Sequence, residues 1–123
     1  MKFTQETDIQ GNLIQAYRPG AVVIGGRTLE HSLVVTRERL IEAWRPRTAQ
    51  ELAANDLHCL LDLDLEVALL GTGATQIFPA PATLRPIIEH GIGLEVMDTA
   101  AACRTYNILI AEGRRVAAAL LMP

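Results

Sequence analysis

No stretch of this chain is long and apolar enough to cross a bilayer. A spanning helix needs roughly 20 apolar residues, and Glu, Arg, Asp or His interrupts every apolar run. Serine is nearly missing: its one occurrence, Ser32, stands outside any Gly-x-Ser-x-Gly elbow, which removes the commonest hydrolase arrangement. Cysteine is scarce as well. Cys59 and Cys103 form neither a Cys-x-x-Cys pair nor the dense framework of a secreted disulfide scaffold, so reduced thiols in a cytosol are expected. Basic residues do not dominate either. Lys and Arg total 11 against 14 Asp and Glu, giving a formal charge of −3 and a pI near 5.5. Phosphate recognition calls for a concentrated basic face, so nucleic acid is not an expected partner. Arg37, Arg39, Arg45 and Arg47 do gather, but Glu38 and Glu42 interleave with them as on a solvated surface. His31, His58 and His90 fall in different elements without metal-ligand spacing, so neither a metal nor a cofactor is expected.

What is present is the material of one core. With 123 residues, 50% hydrophobic and 20% charged, the chain has the size and apolar content of a single domain over residues 1–123. The N-terminus, Met1 to Asp8, turns acidic at once and lacks the apolar or Arg-rich character of a targeting segment. The mature chain is expected to start at Met1 and to reside in the cytoplasm.

The first half reads as β-structure. Phe3–Ile9 and Leu13–Tyr17 flank a Gly11-Asn12 turn, Ala21–Ile24 and Arg27–Leu29 flank Gly25-Gly26, and Ser32–Val35 and Leu40–Trp44 follow. Thr48 and Glu51 have capping-box spacing for a helix running towards Leu61, with a break near Asn55-Asp56. The second half alternates. Glu66–Leu70 is a buried strand, and Thr83–His90 a helix with Pro86 in its first turn and Gly91 as its stop. Ile92–Met97 is a strand, and Asp98 or Thr99 caps a helix to about Glu112, which Gly113 ends. Val116–Leu121 is a last apolar strand. The β-α-β-α-β order predicts an α/β fold with a parallel or mixed sheet covered by helices, behind a β-rich N-terminal half.

Two strands end in loops that could hold a ligand: Gly71, Thr72 and Gly73 after one, Asp98 and Thr99 after the next. In open α/β sheets, ligands bind outside the carboxyl ends of strands. Glycines allow close backbone approach, and the free N–H groups of a helix start favour an anion. Arg104 and Asn107 would flank the opening. Asp98 opposes an anion, because a capping carboxylate already satisfies those N–H groups, and turn glycines with an ordinary N-cap would explain the same residues. A dinucleotide fingerprint fails here: the third glycine is absent and Phe78-Pro79-Ala80-Pro81 delays the helix. Cys103 lies near the positive end of a helix, yet Ala100 to Ala102 beside it point to a packed structural thiol. Asp62, Asp64 and Glu66 read as solvated edge charges. No residue is assigned a catalytic role, and whether a reaction is catalysed is left open.

The run Met97-Asp98-Thr99-Ala100-Ala101-Ala102-Cys103-Arg104-Thr105-Tyr106-Asn107-Ile108-Leu109, followed by Glu112-Gly113-Arg114-Arg115-Val116, resembles one family. So do Leu69-Leu70-Gly71-Thr72-Gly73, Phe78-Pro79, Gly91-Ile92 and Ile24-Gly25. It is the small family of unknown function that includes the mitochondrial complex I assembly factor 3 and many bacterial and archaeal proteins, and the chain looks like a bacterial member. The resemblance implies a three-layer α/β fold with a mixed central sheet. It also implies a non-catalytic interaction or assembly module with a protein partner; the alternative is a protein or enzyme that binds a small anionic ligand through Gly71, Thr72, Gly73, Asp98, Thr99, Arg104 and Asn107.

Overall fold

The computed structural model describes residues 11–123; the expected strand Phe3–Ile9 lies outside them. Eight strands are described: β1 (Ile14–Arg18), β2 (Ala21–Ile24), β3 (Arg27–Leu29), β4 (Leu33–Thr36), β5 (Leu40–Ile41), β6 (Val67–Gly71), β7 (Gly93–Met97) and β8 (Val116–Leu120). A 3-10 turn, Ala54–Leu57, leads into the short helix α1 (His58–Leu61); α2 is Pro81–Glu89 and α3 is Thr99–Ala111.

β1, β2 and β3 make a small antiparallel sheet. The β2–β3 hairpin turns at Gly25 (φ 60°) and Gly26 (φ 77°), both left-handed as a two-residue turn matched to strand twist requires. The larger sheet has the order β5-β4-β8-β6-β7, antiparallel from β5 to β8 and parallel from β8 to β7. It is the mixed sheet expected. Side-chain alternation divides its apolar residues between two cores. Leu33, Val35, Leu69, Ala118 and Leu120 face a layer formed by α3 and the small sheet, while Val34, Ala68, Leu70, Ala117 and Ala119 face α2, the Ala54–Leu61 region and Trp44. These are three layers, with helices on both faces.

The expected helix from Thr48 does not form. Thr48 Oγ1 does accept from the Glu51 N–H at 3.2 Å, and the Glu51 carboxylate accepts from the Arg47 N–H at 2.9 Å. However, Arg45 takes the Glu51 carbonyl, and Ala53 is extended (φ −117°, ψ 158°). A single turn results, and helical order starts at Ala54, where the Asp56 carboxylate accepts from the Ala53 N–H at 2.9 Å. β5 is also shorter than expected. Ala43 adopts φ +55°, turning the chain so that the Trp44 N–H returns to the Ser32 carbonyl at 2.8 Å. α2 begins at Pro81, two residues early, because proline suits a first helical position; Pro86 therefore lies beyond the first turn, inside the helix.

Candidate functional site

β6 and β7 are parallel neighbours with Gly71 opposite Met97, so the loops that follow them open on the same side. α3 crosses directly above. A Cβ on Gly71 would lie 2.9 Å from Thr99 Cα and 3.1 Å from Ala102 Cβ, so the absent side chain is what lets α3 sit down on β6. Thr99 is fully buried. Its hydroxyl accepts from the Gly73 N–H at 2.8 Å and reaches the Leu121 carbonyl at 3.3 Å, while its own N–H donates to the Gly73 carbonyl at 2.9 Å. Thr72, also buried, donates its hydroxyl to the Thr75 carbonyl at 2.7 Å and accepts from the Ile77 N–H at 2.9 Å. Gly73 has φ +99° and packs against the ring of Pro123. Gly71, Gly73 and Thr99 thus converge: Gly73 and Thr99 bond each other, Gly71 and Thr99 both bond Leu121 just past β8, and Thr72 ties its own loop to Met97, Thr75 and Ile77.

Asp98 is the N-cap: its Oδ1 accepts from the Ala101 N–H at 2.8 Å. That carboxylate puts negative charge and an acceptor at the helix start.

Arg104 and Asn107 lie further along α3, on the wall of a groove of about 330 Å³ between α3 and β1, with Ala16, Tyr17, Ala100 and Cys103. Asn107 is committed to β1, accepting from the Ile14 N–H at 2.9 Å and donating to the Ile14 carbonyl at 2.7 Å. Arg104 is exposed. Burial pushes the Cys103 thiol up to about 12, opposed by the charge of Arg104. Tyr17 is raised by burial first, then by Cys103 and Asp98. The candidate residues therefore fall into two places, a bonded joint at the strand ends and an open groove along α3.

The periodicity of α3 carries a further signal. Ala102, Cys103, Tyr106 and Ile110 are its buried face, so Ile108, 58% exposed, is out of phase with the core. Asn12, expected only as a turn residue, also ties its segment to the end of β4 through Thr36 and Arg37 and to α3 through the Tyr106 hydroxyl, which only the long-range fold can show.

The profile of the family described as "Protein of unknown function (DUF498/DUF598)" matches residues 14–121. The chain belongs to this family. Among relatives of the DUF498/DUF598 chain, NADH dehydrogenase [ubiquinone] 1 alpha subcomplex assembly factor 3 of Danio rerio is 33% identical over 92% of this chain and 66% of its own length. The Bos taurus protein of the same name is 30% identical over 89% and 60% respectively, so the chain spans about two thirds or less of these relatives. A Francisella tularensis "13 kDa major membrane protein" is 26% identical over 98% of this chain and 100% of its own. Among the described residues no helix is long and apolar enough to cross a membrane. A crystal structure from Bordetella parapertussis superposes with a TM-score of 0.86 at 37% identity, covering 93% of this chain and 98% of that one. A Bordetella pertussis structure described as an Mth938-like domain gives 0.79 at 32% identity, covering 90% and 85%. The expected family and three-layer fold are both confirmed.

Proposed function

We propose that this chain is a non-catalytic interaction module of one domain over residues 1–123, acting in the cytoplasm by contact with a protein partner. The observation that carries this reading is the identity of 33%, over 92% of the chain, with a relative whose name is that of an assembly factor. The geometry supports it from another direction: Thr72, Thr99 and Asn107 hold elements of the fold together with the groups a ligand would otherwise use.

The test is retention of a partner by the tagged chain in its native host, with an unrelated tagged protein as control. One protein held reproducibly near equal stoichiometry is expected, and subunits of NADH dehydrogenase are the first to look for in the retained fraction. No protein above the control would end this reading.

The groove along α3 favours a second reading, in which a small anionic ligand pairs with Arg104. Native mass spectrometry of gently purified protein would then give a reproducible added mass that Arg104→Met removes without loss of folding. An apo spectrum from both proteins counts against it.

A further inference from the structure

α3 buries one face and leaves the other uncovered. On the uncovered side Arg104, Ile108, Ala111 and Glu112 are exposed, with Ala101 and Thr105 partly so. Ile108 is one of three large apolar side chains that the described surface exposes, beside Phe78 and Ile88. Only Ile108 is flanked at helical spacing by two unpaired, opposite charges. Arg104 lies four residues before it and Glu112 four after, so all three share one stripe. Among the described residues neither charged side chain has an ion pair or hydrogen bond. Around Ile88, by contrast, Arg85 and Glu89 pair with each other at 3.9 Å.

The order of this stripe, cation, apolar, anion, is self-complementary when reversed. In two antiparallel copies related by a two-fold axis through Ile108, the isoleucines meet. Arg104 of each copy then lies opposite Glu112 of the other, about 6 Å along the axis on either side. Ala101, Thr105 and Ala111 keep the surrounding surface low, so the helix axes can approach closely. Antiparallel packing also sets the helix dipoles against each other favourably. We propose that the outer face of α3 is a homodimer surface, and that a second copy of this chain covers it through Ile108 on the two-fold axis and two reciprocal Arg104–Glu112 pairs.

This inference goes beyond the partner reading and stands without it. One helix face lies at the small end of stable interfaces, so the dimer forms at high protein concentration and weakens with salt.

Sedimentation equilibrium from roughly 10 µM to 1 mM at low salt tests it. The unaltered chain should be in monomer–dimer equilibrium, and Ile108→Glu should weaken association by at least about tenfold. Arg104→Glu makes both ends of the stripe acidic, and Glu112→Arg makes both basic; each variant alone should be monomeric. Mixed in equal amounts, they should form a heterodimer. These positions are exposed, so circular dichroism should find every variant folded. A monomeric unaltered chain over the whole range, dimers indifferent to Ile108→Glu, or failure of the two charge variants to pair with each other would each overturn the proposal.

Discussion

Asn107 holds Ile14 by both polar groups of its backbone. The side-chain oxygen of Asn107 accepts from the Ile14 N–H at 2.9 Å while its NH₂ donates to the Ile14 carbonyl at 2.7 Å, so a side chain on α3 substitutes for a neighbouring strand along β1. Asn107→Leu should cost about 2 kcal/mol, since two partly buried backbone groups lose their partner. Asn107→Asp should also destabilise, because its carboxylate would face the Ile14 carbonyl. Urea denaturation of the three proteins checks both. Equal midpoints would mean that water satisfies β1 as well as Asn107 does.

The joint at the strand ends predicts a different pattern. Thr99→Val keeps the shape but strands the Gly73 N–H in a buried place, at a cost of about 1–3 kcal/mol. Thr99→Ser keeps the hydroxyl and should cost less. Gly71→Ala must push α3 away from β6, because the new methyl would meet Thr99 and Ala102 at 2.9 to 3.1 Å, and about 1–3 kcal/mol is expected for such overpacking. Thermal unfolding ranks the three, and a Thr99→Ser protein as weak as Thr99→Val would show that the hydroxyl is not what counts.

Acid should loosen the covering segment around Trp44. Arg45 bonds the Asp56 carboxylate through two nitrogens, at 2.9 and 2.6 Å, and the Asp56 carbonyl accepts from the Trp44 indole at 2.9 Å. The hydrogen bond from Arg45 is the main reason the Asp56 carboxyl is held below its ordinary value; burial opposes it and the Ala53 N–H assists. A depressed carboxyl stabilises the fold above its unfolded value and loses that contribution as pH falls through the folded one. Trp44 is the only tryptophan, so its fluorescence reports on this segment. In Asp56→Asn the part of the acid transition due to this carboxyl should vanish; an unchanged acid limb would remove Asp56 from the explanation.

The two thiols should differ in reactivity. Cys103 is buried and pushed up to about 12, and burial also raises Cys59, which is only half-buried and whose thiol donates to the Asp56 carbonyl at 3.4 Å. Alkylation at pH 8 followed by peptide mass spectrometry should label Cys59 first and Cys103 last, with both equal in denaturant. For Cys103 the unfolded thiol ionises near its ordinary value of 9.0, below the folded one, so stability falls as pH rises between the two. Cys103→Ala should flatten that alkaline decline.

The fold is legible in the sequence where one residue decides one local event. Asp98 before an apolar helix, Gly25-Gly26 between β-branched runs, and the β6 to β8 alternation all need only neighbours in the chain to act. It is not legible where a side chain outside the element intervenes. Thr48 and Glu51 make their expected bond, yet Arg45, clamped on Asp56, takes the carbonyl that a helix would have used. The candidate site shows the same limit. Gly71 to Gly73 and Thr99 do meet, as two parallel strands require, but that Leu121 and Pro123 meet them there depends on β8 lying beside β6. Arg104 and Asn107 could be placed on the helix, whereas the β1 backbone that occupies Asn107 could not be foreseen from spacing.

β8, the last strand in sequence, lies in the middle of the large sheet, where Leu33 pairs with Leu120 and Leu70 with Ala119. During synthesis the β4–β5 edge and the β6–β7 edge therefore emerge with no strand to join them. Pairings between residues so distant along the chain are slow to close, and until β8 arrives the apolar faces of β4 and β6 stand open to solvent and to other chains. A chain cut before Val116 would therefore carry two unjoined sheet edges rather than a smaller version of the fold.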